Sequence, residues 1–186
     1  MKKDSIISYI EKNLSEKRRI HTYAVRDTAI KLAAHYGEDI EKTELAALCH
    51  DMYRGMKDKV LNMYVRELGL PERYMDNPNL AHGKIAAIMI QREYNITDED
   101  IINAVSFHTT GRADMSLLEK IIYLADTIEP NREYPGVDEV RKLAFEDLDK
   151  ALLKSMQNTI DYIEQRGFYL DRETIEARDF LLGKDI

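Results

Sequence analysis

Apolar residues recur at helical spacing along most of the chain, and strand-like alternation is nearly absent. Ile6, Ile7, Ile10 and Leu14 form one stripe. Ser15 then reads as the N-cap of a long helix ending at Gly37, a residue suited to the left-handed position after a helix. On that helix Ile20, Ala24, Val25, Thr28 and Leu32 are expected to share the inner face, with His21 beside it. A third helix starts near Asp39 and runs through Leu45, Leu48 and Met52, and a fourth spans Lys57 to Leu68, broken at Gly69 and Pro71. Ala81 to Tyr94 follows, with Ile85, Ile88 and Met89 inward. Thr97-Asp98-Glu99-Asp100 is related to a capping box and opens a helix ending near His108. Ser116-Leu117-Leu118-Glu119 is a capping box, and its helix carries Asp126 near its end. Beyond an irregular loop between Pro130 and Pro135, helices cover about Glu139 to Arg166, continuous or interrupted, and Arg172 to Leu182. The pattern predicts one all-α domain over residues 1–186, with a core at about 15–145 and C-terminal buttressing helices at 146–186.

Composition narrows the partners. With 44% hydrophobic residues in 186, the chain can bury a real core. Lys+Arg 27 against Asp+Glu 34 leaves a net charge of −7, unfavourable for non-specific nucleic-acid or membrane-surface binding. An anionic ligand would need a local positive field, and metal ions are its strongest source. The one cysteine, Cys49, permits no internal disulfide. Charges at Glu11, Lys12, Glu16 and Lys17 leave no secretory apolar segment near the start, and the longest apolar runs are too short to cross a bilayer. A cytoplasmic protein is expected, and its helical surface with exposed tyrosines is compatible with a homodimer.

Candidate chemistry is concentrated in six residues. His21, His50, Asp51, His82, His108 and Asp126 are spaced H-x28-HD-x30-H-x25-H-x17-D and include four of the chain's five histidines. Imidazole and carboxylate suit iron, manganese, cobalt or zinc. His21 and His50-Asp51 are placed within helices, where neighbours point about 100° apart. His50 and Asp51 would therefore straddle two divalent ions, with Asp51 bridging. His21 and Asp126 would complete one site, and His82 and His108 the other. Paired ions with open positions can ready a hydroxide for attack on phosphorus. His35 is read as an ordinary surface histidine, Cys49 as core, and Lys17-Arg18-Arg19 as a solvated helix face. Asp27 reads equally as a partner orienting a histidine or as a surface acid. No G-x-x-x-x-G-K-[ST] loop is present.

The ordered H…HD…H…H…D set resembles the HD-domain metal-dependent phosphohydrolases. His82-Gly83, His108-Thr109-Thr110-Gly111, the segment from Leu118 to Asp126, Glu129-Pro130-Asn131-Arg132 and Pro135-Gly136 resemble the YqeK family, over about residues 5 to 165. That resemblance implies the helical HD fold and an iron-dependent dinuclear centre. It also implies symmetrical cleavage of diadenosine tetraphosphate, a dinucleoside polyphosphate, into two ADP. One departure stands out: Arg54 occupies the position, three residues after Asp51, where the family commonly has lysine. A planar guanidinium can hold phosphate but is a poor proton donor. The catalytic assignments are Asp51, Arg54 and Arg132, with Arg132 the first choice for phosphate. Lys84, Arg112 and Lys57 are candidate rim contacts, and Arg26 ranks low. Thr109, Thr110 and Gly111 are candidate phosphate binders, because hydroxyls and free N–H groups follow a ligand histidine there. Two other readings keep the same residues: a nucleotidase or guanosine alarmone hydrolase, and a metal-stabilised nucleotide-binding module without turnover.

Overall fold

The computed structural model describes residues 2–183. Those residues form ten α-helices and one short 3-10 turn, with no strand among them. In chain order these are α1 Lys2–Asn13, α2 Glu16–Tyr36, α3 Ile40–Cys49, α4 Asp58–Glu67, the 3-10 turn Glu72–Tyr74, and α5 Pro78–Tyr94. They continue with α6 Glu99–Phe107, α7 Leu117–Ile128, α8 Val137–Leu143, α9 Leu148–Arg166 and α10 Arg172–Leu181. Helix α2 packs on α3 and α7, α6 on α5 and α7, and α9 on α7, α8 and α10. One continuous core runs from Ile6 on α1 to Ala177 on α10.

Local chemistry explains most boundaries. Ser15, Asp39, Asp98, Ser116, Asp147 and Asp171 each accept a backbone N–H from the first turn of the helix that follows. Gly37 ends α2 at φ 78°, where a side chain would be strained. Four expectations need correction. The cap of α6 is Asp98, whose carboxylate takes the N–H groups of Asp100 and Ile101, and not Thr97. Ser116 caps α7, but Glu119 does not complete the box, because its carboxylate is held by Arg112 at 2.7 and 2.5 Å. The inner face of α2 is His21, Thr22, Val25, Ala29, Leu32 and Ala33, whereas Ile20 is 54% exposed. Helix α3 stops at Cys49, so His50 is its C-cap and Asp51 lies in the turn beyond.

The rotation of α2 and the helix stops shape the interior. Turning α2 by one position brings His21 inward. Ending α3 and α6 at Cys49 and Phe107 aims the C-terminal ends of both helices at one region. Such ends carry partial negative charge and favour a cation.

Candidate metal centre

His21 comes from α2, His50 and Asp51 from the end of α3, His82 from α5, His108 from the end of α6, and Asp126 from α7. Five elements thus converge. His50, Asp51, His82 and His108 are at most 3% exposed and His21 is 8% exposed. The two oxygens of Asp51 face different histidine pairs. Oδ2 lies 3.7 Å from His21 Nε2 and 3.9 Å from His50 Nε2, while Oδ1 lies 3.1 Å from His82 Nε2 and 4.0 Å from His108 Nε2. Asp126 Oδ1 joins the first group, 3.0 Å from His21 Nε2 and 4.0 Å from His50 Nε2.

The imidazoles are oriented from behind. His50 Nδ1–H donates to the Ala47 carbonyl at 2.6 Å, His82 Nδ1–H to Pro78 at 2.9 Å, and His108 Nδ1–H to Val105 at 2.8 Å. A carbonyl can only accept, so each ring carries its proton on Nδ1 and presents the Nε2 lone pair inward. Ala47 and Val105 are last-turn carbonyls of α3 and α6, which need partners in any case. His21 Nδ1–H donates to Glu129 Oε1 at 3.1 Å. Glu129 is 2% exposed and also accepts from the Asn131 backbone N–H at 2.7 Å.

This donor set fits divalent ions. His82 Nε2 and His108 Nε2 stand 2.9 Å apart, and His21 Nε2 and His50 Nε2 3.5 Å apart. Facing lone pairs at such separations repel unless a cation lies among them. Donors bound to one first-row ion at 2.0–2.1 Å sit about 3.3 Å from each other.

Electrostatics points the same way. Burial lowers the pKa of His50. It pushes His108 down to about 3, with His82 and His50 adding repulsion. Both rings are therefore neutral at physiological pH, the form in which imidazole can hold a cation. Burial also works against a charge on His21, but the Asp126 carboxylate outweighs it and the net shift is upward. For Asp51 burial favours the protonated acid, yet the His50, His82 and His108 rings hold it well below the usual carboxylate range. His21 and Arg132 do the same for Asp126.

Three arginines edge the cluster. Arg132 donates to the Asp126 carbonyl at 2.7 Å and to its carboxylate, and Arg18 reaches Asp51 Oδ2 at 3.0 Å. Arg54 donates to the Pro78 carbonyl at 2.8 Å and to Asn79 Oδ1 at 2.6 Å. It also lies 3.2 Å from His82 Nδ1, a nitrogen already committed to Pro78, so this is a packing contact. Sequence reasoning passed over Arg18 as a solvated charge, although its position three residues before His21 puts both on one helix face. It also passed over Glu129 as an orienting acid. The signal there was an acid directly after an apolar helix end and before a proline.

Other candidates are placed elsewhere. Lys84 pairs with Glu173 at 2.8 Å, Thr110 donates to Glu173 at 2.9 Å, and Arg112 is held by Glu119. Gly111, at φ 69°, is packed against Met156, Ala177 and Met115. Lys84, Thr110 and Gly111 lie toward α9 and α10 and Arg112 toward α7, each with its side chain or space already taken by protein. Thr109 is partly buried, Lys57 is exposed at the start of α4, and Asp27 is exposed and paired with Arg26. Cys49 is buried in the core.

Residues 18–131 match the family described as HD domain. The chain is 42% identical over 184 residues to the symmetrical bis(5′-nucleosyl)-tetraphosphatase of Bacillus subtilis (strain 168), covering 98% of this chain and 99% of the relative. The protein of that name from Halalkalibacterium halodurans is 41% identical over 184 residues, covering 98% of each. A solved structure described as a predicted HD superfamily hydrolase involved in NAD metabolism, from Clostridium acetobutylicum, superposes with a TM-score of 0.91. It is 47% identical and covers 97% of this chain and 96% of that one. With an all-helical frame, an ordered His/Asp cluster and relatives matched over nearly their whole length, the chain belongs to the HD-domain family, among the symmetrical bis(5′-nucleosyl)-tetraphosphatases.

Proposed function

We propose that the protein hydrolyses diadenosine tetraphosphate symmetrically, to two ADP, at a dinuclear centre. His21, His50, Asp126 and Asp51 Oδ2 would hold one divalent ion, and His82, His108 and Asp51 Oδ1 the other. The divided Asp51 carboxylate is the observation that carries this assignment. When bound, the ions supply Lewis acidity toward water and toward the non-bridging phosphate oxygens. Iron is the leading candidate, and manganese, cobalt and zinc share the ligand preference.

The remaining work falls to the chain. Asp51 and Asp126 stay ionised at neutral pH, and the Nδ1 hydrogen bonds keep the imidazoles aimed inward, so little reorganises during turnover. Arg132 and Arg18 offer planar forks for phosphate oxygens of a highly anionic substrate. Arg54 gives two of its five N–H donors to the start of α5 and keeps the rest, which favours a phosphate and positioning role over proton donation. Phosphoryl transfer to water with ADP leaving rests on positioning and charge stabilisation more than on a strong general acid. Thr109 stays a candidate phosphate contact, whereas the partners of Lys84, Thr110, Gly111 and Arg112 argue for supporting roles.

One domain over 1–186, a cytoplasmic location, a surface compatible with a homodimer, and no nucleic-acid or membrane partner belong to the same reading. The continuous core supports the first, and the net charge of −7 supports the last. Among the described residues no helix is long and apolar enough to cross a membrane. Metal-loaded protein incubated with diadenosine tetraphosphate should yield ADP alone. ATP plus AMP would contradict symmetric cleavage, and no turnover with any of the four metals would remove the enzyme reading.

A further inference from the structure

Away from the ligand cluster, a single carboxylate gathers donors from three elements. Glu173 lies in the first turn of α10. Its Oε2 takes the Lys84 ammonium at 2.8 Å and the Thr110 hydroxyl at 2.9 Å. Its Oε1 faces Arg73 Nη2 at 3.2 Å and the Tyr74 hydroxyl at 3.5 Å. Two of these donors flank the histidines of one half of the centre: Lys84 is two residues after His82, and Thr110 two residues after His108. The Lys84 ammonium also stands 3.5 Å from the ring centroid of Phe107, the residue before His108.

We propose that Glu173 is a positioning residue for the His82–His108 half, fixing how α5 and the end of α6 sit against each other. The inference rests on the dinuclear reading above. His82 and His108 come from different helices, so the separation of their Nε2 atoms depends on the packing between those helices. At the point of contact stands Gly83, where an added Cβ would lie 3.0 Å from both His108 Cε1 and the Val105 carbonyl. A glycine allows close approach but supplies no side chain to hold it. The hold comes from behind, where Lys84 and Thr110 converge on one carboxylate. Lys84 is only 8% exposed, and a buried ammonium is stable only when paired. Breaking the pair should therefore move it. Among the described residues, no hydrogen bond or ion pair joins the other half, His21, His50 and Asp126, to Glu173 or its donors. Helix α10 also lies outside the 18–131 match, so a segment beyond the HD-domain match contacts residues that flank two of the histidines.

The test uses full-length protein stripped with a chelator and titrated with cobalt(II), following d–d absorption. Wild type should take up two ions, and His82→Ala identifies the uptake that belongs to its half. Glu173→Ala should weaken that uptake about tenfold or more while the other ion stays within about twofold, the range expected when a residue supporting a ligand is lost. Glu173→Asp should restore part of the loss. Thr110→Val keeps the shape and removes only the hydroxyl, so it should weaken the same ion by less. An equal shift of both ions, or no shift, overturns the positioning role. If Glu173→Ala does not fold, Thr110→Val decides on the same criterion. A wild-type protein that binds no ion would instead sink the dinuclear reading.

Discussion

The two halves of the proposed centre rest on different supports. Around His21 and Asp126 the supports are charged side chains: Glu129 behind His21, and Arg132 on Asp126. The loop carrying both is held by Arg141, which donates to the carbonyls of Ile128, Glu129 and Arg132 at 3.0, 3.0 and 2.8 Å. Around His82 and His108 the immediate supports are main-chain carbonyls and a glycine contact. The first half should therefore respond to changes of charge beside its histidine and aspartate, and the second to changes of volume there and of charge only farther back, at Glu173. Asp51 belongs to both.

Removing Asp51 erases the distinction. Asp51→Ala should lose both ions and reduce turnover by roughly a thousandfold or more, since the ligand set and its charge stabilisation fail together. Elemental analysis beside a product assay checks it, and a variant keeping two ions and its rate would show that Asp51 does not bridge. Gly83→Ala should injure one half only. Its Cβ meets His108 and the Val105 carbonyl at 3.0 Å, so the His108 ring and the backbone of α6 must give by a few tenths of an ångström. Overpacking of this kind costs about 1–3 kcal/mol. Thermal melts should show that loss, and metal analysis should find one ion per chain. Glu129→Gln tests the other half with almost no change in volume. It removes the charge behind His21, and metal affinity should fall about 10- to 100-fold for that ion alone. Isothermal titration with manganese measures it, and equal weakening of both ions would erase the contrast.

The smallest effect is on metal-free stability near neutral pH. The His108 pKa is depressed to about 3 in the fold, from an ordinary value near 6.5, so the unfolded chain binds the proton more readily. Its stabilising contribution is complete above about pH 6.5 and is lost as pH falls from there toward 3. His50 acts in the same direction. His21, raised in the fold, acts oppositely and offsets part of the loss. Asp51 and Asp126 add a second loss, below the ordinary carboxylate pKa. From pH 7 to 6 the net change should be on the order of 1 kcal/mol or less. Melts of chelator-treated protein should shift down on acidification. A rise would mean that these rings are not held neutral.

Helical periodicity, caps at Ser15 and Ser116, a start near Asp39, and stops at Gly37 and Gly69 made the element order legible in the sequence. These are local effects, set by residues within a few positions of each other. The six ligand candidates were legible for another reason. Imidazole and carboxylate are few in this chain, and their order and spacing are a property of the sequence itself. Side-chain partners across the fold were not legible. Lys84 and Thr110 carry the polar groups expected of phosphate binders, yet Glu173, 89 and 63 residues away, claims both. Arg18 looked like a solvated charge until α2 turned it toward Asp51. Composition and spacing determined which groups were available for chemistry. Only the packing of α10, α5 and the turn after His108 decided which group meets which, because that depends on distances between segments remote in the chain.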